Sequence, residues 1–153
     1  MLQLFIALAA AVLAFVLAPA ANAQERSRTT FVAQLSAENE VPGCPPGVES
    51  GANGVAIVRI DAATGEISYR VVATHLPGTI AGSPGAHTHF GAAGERGPIV
   101  QDFALTGLGS GVVATGTTTN QELAAAILAD PANYYVNVHT TACPGGAVRG
   151  QLG

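Results

Sequence analysis

Two histidines, His87 and His89, stand one residue apart in the segment GAHTHFG, in a chain that holds four histidines in all. In an extended strand, residues i and i+2 point to the same face with Cα atoms about 6.5–7 Å apart. Two imidazoles so placed can converge on one ion held about 2.0–2.1 Å from each ring nitrogen. His139 is the natural third ligand. It closes the run Tyr135-x-Asn137-x-His139, whose three named residues share a face. Three histidines leave coordination positions open and suit zinc or copper. Glu95 and Asp102 are the carboxylates nearest in sequence that could orient the ligand rings from behind. The competing reading is structural. A buried imidazole can donate from one nitrogen, accept at the other and lock a loop to a sheet. His75, in ATHLPG, reads as an exposed turn residue rather than a ligand.

Other chemistry is poorly supported. Ser83 and Ser110 lack the G-x-S-x-G setting of a nucleophile elbow. The segment GAAGERG lacks the Lys-Ser/Thr ending of a phosphate loop and leads into a strand, not a helix. PGGAVRG reads as a turn that needs positive φ, and its Arg149 as a side chain that snorkels or meets a carboxylate.

The elements that must carry the histidines are short strands separated by turns. Residues 30–38 (TFVAQLSAE) alternate Phe31, Ala33 and Leu35 with polar positions, and 41–54 are loop. Two β-branched runs, 54–61 and 66–75, flank DAATG and form a hairpin. Residues 76–85 are loop, 86–90 a short strand with Phe90 turned to the core, and 98–105 and 112–118 further strands. Thr119 and Glu122 have capping-box spacing before LAAAILA, a helix with Leu123 and Ile127 on one face that Asp130-Pro131 stops. Strands over 134–140 and 147–152 complete the chain. About eight short strands at regular spacing with one small helix predict an all-β Greek-key β-sandwich.

Residues 1–23 (MLQLFIALAAAVLAFVLAPAANA) carry no charge and end in the small-x-small pattern of a signal peptidase site. They are expected to be removed as a signal peptide. That leaves a domain over residues 24–153, with no membrane insertion, in a secreted, periplasmic or cell-surface setting. The chain has a formal net charge of −4, and all six of its basic residues are arginines without a basic stripe. Nucleic acid and anionic membranes are therefore poor partners. Cys44 and Cys143, the two cysteines, lie in Pro/Gly loops near opposite ends of that domain. An exported setting favours a disulfide between them, and a loop of that size is worth about 4–5 kcal/mol in the chain-entropy picture. A Cys/His metal site is the rival reading, weakened by the lack of C-x-x-C spacing.

The motifs FVAQLSAENEVP, GVAIVRIDAATGEISYRV, AHTHFGAAGERGPIV, ELAAAILADPANYYVNVHT and PGGAVRGQL follow one another from Phe31 to Leu152. Their order resembles the CHRD domain, the chordin-type module common in exported bacterial proteins. The resemblance implies an extracellular β-sandwich of immunoglobulin-like type and no defined activity. Cys44, Cys143 and His75 lie outside the shared pattern. The resulting expectation is a non-catalytic exported module, disulfide-stabilised, that binds a metal ion or an extracellular protein or glycan. The alternative is a copper/zinc protein with superoxide-dismutase-like chemistry at His-x-His. A copper-only site of that type needs four histidines, so His75 would have to join, and the second half of the dismutase pattern is absent.

Overall fold

The computed structural model describes residues 28–82 and 85–153. The expected leader, residues 1–23, and Ser83 lie outside them. Eight strands form among the described residues: β1 (Arg28–Ser36), β2 (Asn53–Asp61), β3 (Glu66–Thr74), β4 (Ala86–Phe90), β5 (Ile99–Asp102), β6 (Gly111–Thr119), β7 (Tyr134–Val138) and β8 (Val148–Gln151). One α-helix, α1 (Gln121–Ala129), joins β6 to β7. The all-β expectation with one short helix holds.

All pairings are antiparallel and the strand order is β5-β4-β7-β8-β1-β2-β3-β6. The β1–β8 contact is a single register pair, Ser36 with Arg149. The sheet therefore consists of two four-stranded halves hinged at one rung. Their inner faces share one core. Ala56, Val58 and Ile60 of β2 and Ile67, Val71 and Ala73 of β3 join Ala86 of β4, Val136 and Val138 of β7 and Val148 of β8 in one cluster. Each fully buried Val or Ile contributes about 1.5–3 kcal/mol relative to exposure. That alternation fixes the register, because a one-residue slip of β4 would drive His87 and His89 into the apolar layer.

The β2–β3 hairpin forms as the DAATG turn predicts. Asp61 Oδ1 accepts from the amides of Ala63 (2.9 Å) and Thr64 (3.2 Å), and Gly65 takes a φ of 69°. The helix starts one residue later than the capping-box reading. Thr119 pairs with Glu66 as the last rung of the β3–β6 ladder, so Asn120 becomes the cap and accepts from the Leu123 amide at 3.0 Å. Leu123 and Ile127 are buried, as their shared face predicts. Strand ends also differ from the pattern reading. β1 gives way to a 3-10 turn at Ala37–Asn39, and β5 stops at Asp102. Phe90 is a correction: it is 48% exposed and rests edge-on against Tyr134, its partner across the β4–β7 ladder, which takes the buried place in the core.

Candidate metal centre

His87 and His89 lie on the outer face of β4, opposite the core-facing Ala86 and Thr88. Their partners across the β4–β7 ladder are Asn137 and Tyr135. Continuing across the sheet, Asn137 pairs with Arg149 and Tyr135 with Gln151. Two rows of polar side chains thus cross the outer face. A bare outer face would be wet, yet His87 is 1% exposed. The 91–98 segment after β4 and the 140–146 segment after β7 fold over it, and Ala81 and Gly82 before β4 flank it.

His139 sits one residue past the end of β7, still on the face it shares with Asn137. It completes the cluster. One ring nitrogen each from His87, His89 and His139 falls within 4.8 Å of the other two. The ring centroids of His87 and His89 are 4.6 Å apart and those of His87 and His139 4.7 Å. His75 does not join. It is exposed and holds a left-handed φ of 56°, so the four-histidine set that dismutase-like chemistry would require is not assembled.

The loops decide which nitrogen of each ring is free. His89 Nδ1 donates to the Gly97 carbonyl at 2.7 Å, and His139 Nδ1 to the Pro144 carbonyl at 2.9 Å. With the proton held on Nδ1, the Nε2 lone pair of each ring is left over. Those two Nε2 atoms, together with Nδ1 of His87, are buried and have no hydrogen-bond partner. Buried polar atoms are rarely left unpaired. Asn137 Oδ1 in the same row is also buried and unpaired, and the three histidines form one polar cluster with it. They fit a metal ion. The ring-orienting groups are backbone carbonyls, in place of the expected carboxylates. Asp102 is the register partner of His87 but its side chain is exposed, and Glu95 contributes its backbone carbonyl to Arg149 instead.

Arg149 is the part of the site that the sequence concealed. It is 2% exposed and meets no carboxylate within ion-pair distance among the described residues. Its guanidinium lies 3.4 Å over the Tyr135 ring. It donates to the carbonyls of Glu95 (2.6 Å) and Ala92 (2.7 Å) and to Gln151 Oε1 (3.0 Å). Tyr135 in turn stacks on His89 at 4.6 Å, and its hydroxyl accepts from the Gly97 amide at 3.2 Å. Arg149, Tyr135 and His89 thus form one pile that pins the 91–98 loop. The second loop is tied by the Cys44–Cys143 disulfide, whose Cys143 precedes the Pro144 that holds His139. Gly146 closes that loop at a φ of 136°, where any side chain would collide with the Glu40 carboxyl.

Burial governs the electrostatics. It holds His87 down at about 3, with the charges of His89 and His139 adding to the effect. Burial likewise lowers His89 and His139, against the raising influence of their carbonyl partners. All three rings are therefore neutral, and ready to ligate, at neutral pH. Glu40 is pushed the other way, up to about 8, by burial that the nearby Arg149 charge only partly offsets.

These shifts set opposite pH limbs for the metal-free protein. Folded Glu40 keeps its proton up to about 8 whereas the unfolded chain releases it near 4.5, so its share of stability is full below 4.5 and is lost as pH rises towards 8. His87 has the reverse sign: its share is full above 6.5 and is lost as pH falls towards 3. His89 and His139 share the sign of His87. Stability is expected to peak at about pH 6–7. Thermal midpoints between about pH 4 and pH 9 check this. Glu40→Gln should flatten the alkaline limb alone, and a wild-type midpoint still climbing above pH 7 would contradict the assignment.

Fold and site together define a disulfide-bonded β-sandwich module that carries a covered histidine triplet on its outer face. The CHRD domain family model matches residues 31–152, a span that includes all three histidines and both cysteines, and the chain belongs to that family. No curated protein and no solved structure matches it.

Proposed function

We propose that this protein is an exported, non-catalytic CHRD module whose His87, His89 and His139 bind one zinc or copper ion. The observation that carries the reading is that one ring nitrogen from each of the three histidines lies within 4.8 Å of the other two, in a cluster that leaves three buried ring nitrogens unpaired. A small inward movement of the rings brings that set to the roughly 2.0–2.1 Å metal–nitrogen distance. Imidazole suits both metals, and their choice depends on what the compartment supplies. The 24–153 domain would act after loss of residues 1–23, in the periplasm, on the cell surface or outside the cell. The disulfide supports such an oxidising setting. No helix among the described residues is long and apolar enough to cross a membrane. Any macromolecular partner would be an extracellular protein or glycan, since the arginines form no basic stripe for nucleic acid.

The test is elemental analysis of the protein purified from an oxidising compartment without chelator or nickel resin. Near-stoichiometric zinc or copper is expected. The His87→Ala/His89→Ala double variant should lose it, and its affinity should fall by about a hundredfold or more. Metal-free protein that takes up neither ion on titration would refute the proposal.

A further inference from the structure

The metal reading leaves one side of the triplet open, and the structure indicates what enters there. A cleft of about 560 Å³ opens over the cluster, walled by His87, His89, His139, Arg96, Ile99 and Pro144. No carboxylate lines it. Three neutral imidazoles would leave the charge of a divalent ion uncompensated. Arg96 adds a further positive charge to the cleft, is exposed, and has no ion pair among the described residues.

The placement of Arg96 is fixed on both sides. The carbonyl of Glu95 before it is held by Arg149 at 2.6 Å, and the carbonyl of Gly97 after it is held by His89 at 2.7 Å. The loop therefore presents this one side chain from between two anchored residues, into the cleft that His139 also lines. Ile99, itself 43% exposed, adds an apolar patch to the cleft. We propose that the open coordination position of the bound metal is a site for a small inorganic anion, which Arg96 attracts and holds. This inference rests on the metal reading of the triplet.

The experiment uses the full folded chain loaded with Cu²⁺, whose nitrogen coordination is read by electron paramagnetic resonance. Azide is then titrated and followed by its ligand-to-metal charge-transfer band. Saturable binding is expected in the wild type. Arg96→Ala should weaken azide by roughly three- to tenfold, the size of one partly screened charge a few ångströms away. Arg96→Lys should retain most of the affinity, and added salt should narrow the gap. Copper occupancy and thermal midpoint in the same samples control for folding and loading. Azide affinity indifferent to Arg96→Ala, or no azide binding to histidine-coordinated copper, would overturn the anion site and leave the metal reading intact. Failure of Cu²⁺ to bind at all would overturn both.

Discussion

Arg149→Ala is expected to destabilise the protein by about 3–5 kcal/mol, lowering the thermal midpoint by roughly 10–20 °C. Three losses combine. The carbonyls of Ala92 and Glu95 would lose charge-assisted donors inside a covered site. The Tyr135 ring would lose the cation on its face. A cavity would open where one of the largest buried side chains of the protein stands. The effect reaches the histidines, because the loop released is the one whose Gly97 carbonyl sets the His89 tautomer. Metal affinity should fall alongside stability. Arg149→Lys should recover only a minor part, since one ammonium cannot fork between two carbonyls and stack on a ring at once. Urea titration with and without zinc reads both effects. A loss below about 1 kcal/mol would mean that water replaces the guanidinium without penalty.

Breaking the disulfide is the second large perturbation. Cys44 and Cys143 are 99 residues apart, and Cys143 is completely buried. Cys44→Ala/Cys143→Ala is expected to remove about 2–5 kcal/mol. The same change frees the turn in which Thr140 and Cys143 bond each other's backbones and Pro144 holds His139. Metal affinity should drop by about ten- to a hundredfold, the usual consequence of losing a group that orients a ligand. Calorimetric zinc titration of the oxidised protein beside the double variant checks this. Stability lost with affinity unchanged would show that the turn keeps its shape without the bridge.

The histidine pair was legible because strand geometry has a strict period of two. Once β4 is recognised, His87 and His89 must share a face, and the Tyr135-x-Asn137-x-His139 spacing extends the same logic to the neighbouring strand. The hairpin at Asp61 and the helix face of Leu123 and Ile127 were readable for similar local reasons. What escaped depends on long-range contact. Nothing near Arg149 in sequence announces a partner at Ala92 or Glu95, more than fifty residues away. The choice of carbonyls over Glu95 and Asp102 as ring-orienting groups depends on how two loops fold back. Phe90 departs from the expectation because alternation gives the face of a residue but not which side chain of a rung, here Tyr134, fills the buried place. Thr119 and Asn120 are both good caps, and only the pairing of Thr119 with Glu66 decides between them. Glu40 lies in the ENEVP segment, and its buried place beside Gly146 had no local signal beyond the two glycines of PGG.

The wide span of the single disulfide also determines how the molecule would behave under tension. If its two ends were pulled apart, as happens to a protein held between a surface and a partner, the segment between Cys44 and Cys143 could unfold but could not lengthen the chain. Reduction would add about 330 Å of extensible contour, at the length of a stretched residue. Oxidised, only the segments outside the loop, β1 and β8 among them, can extend under load; reduced, the whole domain can.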